Sequence, residues 1–577
     1  MTHSQKRTIL FAVLALVAAA LVFFIVKATA ANTAGTLTVS ADSESSSTSD
    51  STVITAGAAS AEFVFSDSGI AVTGSSSGTE ISGTALTIDE AGTYTVSGAC
   101  ADGSIKIKKG TTGVTLILNG LDLTSSATAP ITCGKSSEVT ILAANGTENA
   151  LTDSAQNNDG EYPENTDAEN AVIKCKDGST VTLCGAGSLT LNANGKNGIK
   201  SGGATDEAGK ASLTIEELSL TINASVNDAI NAEQTLHIPS GTLTIAAADD
   251  AIHADYDLNI GASGTDGPSI TITGCCEGLE AAALNILSGN IDITATDDCL
   301  NAANADLSGY DFTMTISGGT IHAYTSGGDG FDSNGDLTIS GGTVVVWTAS
   351  AADNQPLDAD GTITVTGGTV LAAGGSSGMG MNLSATQPYV TFGSDTMGGF
   401  GGFGGGKMQP PTGDCPDDMP ELPDGTQPSD RTPPDGTQPS DRTPPAGTQQ
   451  PGDMGTPPDG FGDFGGAALV AKGGTLTITS GSDTLFSETA LCDVRFVFYS
   501  APELTDGESC TLNADSDAAE TAEAQTGEVQ TGFGGKPTGD PPARPDGEAP
   551  TDQPTSPDGT ADAATPPQDT TGTTTTT

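Results

Sequence analysis

The sequence Asn227-Asp228-Ala229-Ile230 opens a series of five acidic turns that decides the fold. The other four turns read Asp249-Asp250-Ala251-Ile252, Cys276-Glu277-Gly278-Leu279, Asp297-Asp298-Cys299-Leu300 and Gly328-Asp329-Gly330-Phe331. In each turn an acidic residue precedes a large apolar residue by two positions. The apolar residues follow one another at intervals of 22, 27, 21 and 31 residues. A repeat of this length is typical of a solenoid or a propeller.

Short β-strand patterns separate the acidic turns. One unit contains the triplet Leu284-Asn285-Ile286, the turn Ser288-Gly289 and the second triplet Ile291-Asp292-Ile293. Two or three such strands in a coil of 20–31 residues predict an all-β chain folded as a parallel β-helix. A propeller blade needs about 40 residues, and a leucine-rich repeat needs a helical segment that these units lack. We expect the β-helix to span residues 61–393, with a final coil or cap at 466–514.

Four other segments flank or interrupt the predicted β-helix. In residues 1–31, Lys6 and Arg7 precede an apolar run of about 19 residues, which indicates a secretory signal or a retained membrane anchor. Both alternatives place the rest of the chain outside the cell or on its surface. Three further segments cannot bury a core and are predicted to be disordered. They are the Ser/Thr-rich spacer 32–60, the Gly/Pro-rich insert 394–465 and the acidic Pro/Thr-rich tail 515–577.

The composition is strongly acidic. The 577 residues include 73 Asp and Glu but only 19 Lys and Arg, which gives a formal net charge of −54. This balance argues against a nucleic-acid partner, because phosphate binding depends on Lys and Arg. It favours divalent cations as partners, or solubility outside the cell. We expect a monomer.

Several motifs in a fixed order resemble a known family. They are Ala91-Gly92-Thr93-Tyr94 with Ser97-Gly98, Leu116-Ile117-Leu118-Asn119-Gly120, the acidic turns, and Ser500-Ala501-Pro502-Glu503-Leu504. Together they resemble the clostridial cellulose- and pectin-binding β-helix family, the carbohydrate-binding domain-containing proteins. The resemblance covers about residues 61–393 and 466–514, and the Pro-rich insert departs from it. It implies a right-handed parallel β-helix on the cell surface, calcium sites, and binding to cellulose-like or polygalacturonate-like cell-wall polysaccharide.

If one coil is one repeat, the acidic residues stack in a column. Coils about 4.8 Å apart bring neighbouring carboxylates close enough to repel by about 1 kcal/mol in water. Ca²⁺ binds oxygen ligands at about 2.3–2.6 Å, so an ion between two coils contacts both carboxylates. The alternative is that these residues only shape turns, which Asp and Asn favour. A second column follows one residue after each apolar residue and includes Asn301. The predicted Ca²⁺ ligands of the two columns are Asp228, Asp249, Asp250, Glu277, Glu280, Asp297, Asp298, Asp329, Asp332 and Asp358.

Two aromatic residues form a second candidate site. Alignment of Gly319–Tyr324 with Gly342–Trp347 places Tyr324 and Trp347 in one outward-facing column on neighbouring coils. Exposed aromatic rings of this kind stack on sugar rings, so we predict that the pair binds carbohydrate. The alternatives are that an inserted loop covers the rings, or that they are ordinary exposed strand residues.

The residue types present limit which catalytic mechanisms are possible. Pectate lyases are also calcium-dependent β-helices, but they remove a proton with a basic side chain. Residues 211–406 contain no Lys or Arg and 23 Asp or Glu. A hydrolase needs a carboxyl pair in a cleft, and a regular column does not indicate one; we interpret His253 and His322 as outward strand residues. We therefore predict a calcium- and polysaccharide-binding protein without catalysis. The alternatives are a structural or adhesive surface protein and a polygalacturonase-like hydrolase.

Overall fold

A computed structural model describes residues 61–204, 211–304, 307, 309–349, 354–375, 383–393 and 468–529. Every regular element in these ranges is a β-strand, and they contain no helix that could cross a bilayer. The predicted signal or anchor (1–31), the spacer (32–60) and the insert (394–465) lie outside the described residues.

The strands form one long, mostly parallel sheet. Each strand pairs with the strand in the equivalent position of the next repeat, so the chain winds repeatedly through three parallel ladders. This pairing confirms the predicted all-β class with a coiled parallel sheet; its right-handed sense stays a prediction. We name the ladders the turn ladder, the middle ladder and the outer ladder.

The turn ladder contains the apolar residues of the acidic turns. Its strands are Ala85–Ile88, Ser104–Ile107, Ile131–Cys133, Ala171–Cys175, Asn197–Ser201, Ile230–Ala232, Ile252–Ile260, Leu279–Ile286, Leu300–Ala302 and Phe331–Ser333. Two of these, Ile252–Ile260 and Leu279–Ile286, are long enough to continue into the middle ladder.

The middle and outer ladders complete each coil. The middle ladder also contains Gly92–Cys100, Val114–Thr124, Glu138–Ala143, Thr180–Cys184, Ser212–Glu216, Thr235–Ile238, Thr313–Ile316, Asp336–Ile339, Ile363–Val365 and Leu383–Phe392. The outer ladder continues from Val114–Thr124 through Glu148–Thr152, Ser188–Ala193, Ser219–Ala224, Thr242–Ala247, Ser269–Gly274, Asn290–Ala295, Thr320–Thr325, Thr343–Thr348 and Thr369–Gly374.

Alternate side chains of every ladder point into one continuous apolar core. In the turn ladder the stacked residues Ile230, Ile252, Leu279, Leu300 and Phe331 are each 0% exposed. Burial of one such side chain stabilises the fold by about 1.5–3 kcal/mol. A slip of one residue would turn a whole strand's apolar set outward, so this stack fixes the register of the acidic turns beside it.

Antiparallel strands close both ends of the coil stack. At the start, Ala61–Ser66 pairs with Gly69–Gly74, and Thr79–Ser82 pairs with the first strand of the turn ladder. At the other end, Phe496–Ser500 pairs antiparallel with both Thr369–Gly374 and Leu383–Phe392. Gln525–Glu528 pairs antiparallel with the latter strand as well.

A separate antiparallel sheet of four strands, the cap sheet, follows the coils. Its strands in spatial order are Asp483–Thr489, Thr475–Ser480, Ser509–Ala514 and Asp517–Glu523. The prediction that a disordered tail begins at residue 515 is therefore wrong, because strands continue to Glu528. The segment after Asp515 is polar and carries little strand pattern. It nevertheless pairs with Ser509–Ala514 through backbone hydrogen bonds, which do not depend on apolar side chains.

Candidate metal site

Backbone hydrogen bonds hold the acidic turns in register. The amide nitrogen that follows each acidic residue donates to the carbonyl oxygen of the acidic residue one coil later, at 2.9–3.3 Å. The donor and acceptor residues are Ala229 and Asp250, Ala251 and Glu277, Gly278 and Asp298, and Cys299 and Asp329. The structure thus stacks Asp228, Asp250, Glu277, Asp298 and Asp329 on consecutive coils, and we call this set the acidic column.

A second line of polar side chains, the flanking column, runs beside the acidic column. It occupies the position after each buried apolar residue and is fixed by parallel pairing and by the bridge between Phe331 and Leu357. Its members in order are Asn231, His253, Glu280, Asn301, Asp332 and Asp358. The predicted second column is therefore placed as expected for four of these residues, and it extends two coils further toward the N-terminus, to Asn231. Lys200 pairs with Asn231 in the same register, and its Nζ donates to Asn231 Oδ1 at 3.1 Å.

The acidic column ends in an amide that sequence reasoning missed. Gly330 N donates to Gln355 O at 2.8 Å, and Gln355 N donates to Asp329 Oδ1. Gln355 thus continues the column by one coil. The sequence does contain the pattern that would have identified Gln355. This residue precedes the buried Leu357 by two positions, which is the spacing of every acidic turn.

Three clusters along these columns bring possible metal ligands together. Within each cluster, one ligand atom from each residue lies within 4.8 Å of the others. The clusters are Asp228, Asp249 and Asp250; Asp250, His253 and Glu280; and Asp329, Asp332 and Asp358. Three predicted ligands, Glu277, Asp297 and Asp298, stand outside these clusters, although Glu277 and Asp298 belong to the acidic column.

The backbone of the last acidic turn lies close to the carboxylates of the preceding coil. Gly328 precedes Asp329 in the last acidic turn, and a Cβ at this position would overlap Asp297 Oδ1 and Asp298 Oδ1. Asp298 Oδ1 also accepts a hydrogen bond from Asp329 N at 2.6 Å. A side chain at position 328 would therefore displace Oδ1 of Asp298, which belongs to the acidic column, and Oδ1 of the adjacent Asp297.

Burial and mutual repulsion make these carboxyl groups hard to ionise. Burial, with repulsion from Glu280, Asp250 and Asp298, raises the pKa of Glu277 to about 10. Burial, with repulsion from Asp332 and its acidic neighbours, raises the pKa of Asp298 to about 9. Carboxyl groups that repel one another in this way gain most from a bound cation, because the ion replaces repulsion with attraction.

His253 is an outward strand residue, as predicted, but it is not isolated. Its Nδ1 contacts Glu280 Oε2 and lies 3.5 Å from Asp250 Oδ2, while its Nε2 lies 3.0 Å from Asp255 Oδ1. Burial lowers the pKa of His253, but its hydrogen bonds to the three carboxylates outweigh burial and hold the pKa well above the usual range. Such a protonated imidazole is a fixed positive charge within the flanking column. The sequence could have indicated these contacts, because His253 follows the buried Ile252 just as Glu280 follows the buried Leu279.

Two buried carbonyl oxygens in these columns accept no hydrogen bond. Asn301 is 9% exposed, and its Nδ2 donates to Glu277 Oε2 at 3.0 Å, but its Oδ1 has no partner among the described residues. Gln355 Oε1, in a side chain that is 5% exposed, is also without one. Amide carbonyls and carboxylates are the ligands that Ca²⁺ takes in proteins. The donor set therefore fits a hard divalent cation.

The structure confirms that the two predicted aromatic residues share a column, but it does not expose both rings. Tyr324 and Trp347 pair in register on neighbouring coils, as expected, and Tyr324 is half-buried. Trp347 is 0% exposed, so the prediction that it presents its ring to a sugar is wrong. The cap sheet causes this difference, because Trp347 packs in one apolar cluster with residues of that sheet such as Leu476 and Leu512. The cap sheet also supplies Glu488, whose Oε2 lies 3.2 Å from Nε2 of His322.

Comparison with known proteins identifies the family. Residues 82–378, about half of the chain, match the family described as carbohydrate-binding domain-containing protein. The chain belongs to this family. The resemblance inferred from the sequence motifs is thereby confirmed.

One relative and one solved structure are similar to this chain. A carbohydrate-binding domain-containing protein of Acetivibrio thermocellus is 37% identical over 123 residues, which are 21% of this chain and 42% of the relative. A solved structure described as the polysaccharide lyase-like protein from C. thermocellum, gadolinium derivative, is 24% identical. It covers 53% of this chain and 91% of its own, with a TM-score of 0.28. The architecture described above rests on strand pairing and not on that alignment.

Proposed function

We propose that this protein is an extracellular, calcium-dependent polysaccharide-binding protein of the cell surface that does not cut its ligand. Membership of the carbohydrate-binding family supports the ligand class. The acidic column, with its flanking column, supports the dependence on Ca²⁺. The N-terminal segment would export the chain or hold it in the membrane.

The observation that carries the proposal is the stacked set of oxygen donors. In the two clusters made only of carboxylates, ligand atoms from two neighbouring coils lie within 4.8 Å of one another. Two buried amide oxygens of the columns, on Asn301 and Gln355, have no hydrogen-bond partner among the described residues. Ca²⁺ accepts 6–8 oxygen ligands in flexible geometry, whereas Mg²⁺ requires a near-ideal octahedron. A wall of carboxylates from successive coils suits the first ion better than the second.

Charge explains how such a wall would hold an anionic polysaccharide. No Lys or Arg occurs between residues 211 and 406, so beyond Lys200, which contacts Asn231 at the first coil, a uronate polymer meets carboxylates along the columns. Ca²⁺ ions bound to the columns would reverse the local charge. Uronate carboxylates of the polymer would then complete the coordination of these ions, with the cation as the bridge.

The proposed absence of catalysis rests on residue types. The coils that carry the columns contain no Lys or Arg that could abstract a proton in a lyase reaction. His253, held by Asp250, Asp255 and Glu280, has its proton fixed by three carboxylates and is a poor base. We therefore expect no unsaturated product from polygalacturonate.

The test is polygalacturonate binding with calcium and with a chelator. The protein should sediment with the polymer in calcium and be released by the chelator. Asp329→Asn should weaken calcium-dependent binding about tenfold, since it removes one charged ligand of a cluster. Asp257→Asn, at a half-buried position on the strand Ile252–Ile260 and outside all three clusters, is the matched control and should bind normally.

The other functional classes predict different outcomes. If calcium raises the melting temperature but no glycan binds, the protein is structural or adhesive and the bridge proposal is wrong. New reducing ends would indicate a hydrolase. Equal binding of polygalacturonate in calcium and in chelator would also contradict cation bridging.

A further inference from the structure

A cleft of about 710 Å³ lies where the cap sheet and its preceding loop meet the outer ladder. The cap covers the outward residues of the last two coils of that ladder, Val345 and Trp347 among them. Its edge reaches the next coil, at His322 and Tyr324. Beyond this edge the ladder surface is open, and the cleft forms in the corner between cap and coils.

The floor and the wall of the cleft have complementary chemistry. Thr271, Asp292 and Thr294 project from two successive coils and form a floor of hydroxyl and carboxylate groups. Lys472 enters from the cap side, and its Nζ lies 5.8 Å from the ring centroid of Tyr324. Among the described residues, no carboxylate forms an ion pair with this ammonium group. The cap thus brings an ammonium group to coils that contain no Lys or Arg.

We infer that this cleft binds a short stretch of a neutral polysaccharide chain, in contact with Tyr324, Asp292 and Lys472. The inference deepens the proposed function and rests on it for the ligand class. It assigns a second glycan site, which needs no metal ion, on a different ladder from the acidic column.

The mixture of charges favours a neutral ligand. The carboxylate of Asp292 accepts hydrogen bonds only, and the ammonium of Lys472 donates only. A sugar hydroxyl both donates and accepts, so one ring can satisfy both groups at once. An anionic sugar would be repelled by Asp292 and by nearby Glu488, which is paired with His322. A free cation would be repelled by Lys472.

Shape and apolar surface support the same ligand. The volume lies within the range of about 300–1,000 Å³ that small-molecule sites occupy. Tyr324 offers a half-buried ring held by the cap cluster, and the wall adds Ala490 and Leu491. A rigid aromatic ring backed by packed residues loses little entropy when a ligand contacts it.

The cleft is independent of the candidate metal clusters. None of the three clusters found among the described residues includes a residue of the cleft. Chelation should therefore leave this site intact. The only tryptophan of the chain, Trp347, is paired in register with Tyr324, so its fluorescence provides a reporter next to the cleft.

The experiment titrates the full-length protein with cellohexaose, a neutral oligosaccharide, in the presence of chelator. Trp347 fluorescence and calorimetry should both report binding. Asp292→Asn and Lys472→Met should each weaken it about tenfold, because each removes one charge-assisted hydrogen bond. Tyr324→Ala should abolish it; because this variant also loosens the cap, the two charge variants decide the outcome if it fails to fold.

Matched controls exist within the chain. Asp122 is exposed and belongs to the same outward column as Asp292, several coils away, so Asp122→Asn should bind normally. Lys106→Met, at an exposed lysine of the turn ladder, should do the same.

No binding in chelator, or equal affinity of both charge variants and the wild type, would overturn the inference. Calcium-dependent binding of polygalacturonate that survives in these variants would show that only the cleft assignment has failed. Absence of polygalacturonate binding in calcium, with cellohexaose binding retained, would instead refute the bridge proposal.

Discussion

Replacement of Glu277 by glutamine is expected to stabilise the calcium-free protein and to weaken its response to calcium. Glu277 lies at the centre of the acidic column, and its pKa is raised from its usual 4.5 to about 10. At pH 7 the unfolded chain ionises this carboxyl group while the folded, metal-free protein keeps it protonated. That difference costs the fold roughly 3 kcal/mol of stability as an upper bound.

Glutamine is neutral and of equal size, so the variant avoids this cost. It also keeps an oxygen that can accept the hydrogen bond from Asn301 Nδ2. In chelator at pH 7, Glu277→Gln should therefore unfold at higher urea concentration than the wild type. In calcium the variant should be less stable than the wild type or equally stable. The reason is that it lacks one carboxylate of the acidic column and so gains less stability from the bound ion.

Urea unfolding followed by circular dichroism, in chelator and in calcium, measures both effects. Glu138→Gln, at an exposed position of the middle ladder, is the control and should change stability by no more than about 0.5 kcal/mol. A Glu277→Gln variant that is less stable than the wild type in chelator would contradict the repulsion described for the column. If calcium stabilises the variant as much as the wild type, Glu277 is not a calcium ligand.

Other perturbations have defined outcomes. The pKa values of Asp250 and Asp298 are raised to about 7 and 9, so the folded state binds more protons than the unfolded state. Stability of the calcium-free protein should fall as pH rises from about 4 through these values, which urea unfolding at pH 5, 7 and 9 would detect. Trp347→Ala should cost about 3–5 kcal/mol, measured in the same assay, because it empties a buried site under the cap sheet. Trp347→Phe should cost less, since it also removes an indole N–H that has no partner among the described residues. Gly328→Ala should lower calcium affinity in a calorimetric titration by displacing carboxylate oxygens, whereas Gly274→Ala, where a Cβ meets no atom within 4 Å, should not.

The coils were predictable because their signal is local and repeated. The spacing of the apolar residues indicated a solenoid or a propeller, and the two or three short strands in each repeat favoured the solenoid. The spaced residues Ile230, Ile252, Leu279, Leu300 and Phe331 stack in the structure. Alternation within a strand also predicted correctly that Tyr324 and Trp347 share a column.

The surroundings of individual side chains were less predictable. Trp347 is buried by strands more than 120 residues later in the chain, and nothing in its own strand encodes that contact. His253 and Gln355 were missed for a different reason. The spacing rule that selected Glu280 and Asp329 applies to them equally, but it had been applied only to Asp, Glu and Asn residues. Whether the columns bind calcium stays a prediction, because stacking alone does not identify an ion.

The antiparallel strand Phe496–Ser500 covers the open edge at one end of the coil stack. A stack of parallel coils ends in an open edge whose amide and carbonyl groups can pair with another chain. Here that strand pairs with both Thr369–Gly374 and Leu383–Phe392, and the cap sheet buries the outward residues beside them. Truncation before residue 468 would expose both the edge and Trp347. We expect such a fragment to aggregate end to end, whereas the strands after residue 468 cover this edge in the full chain.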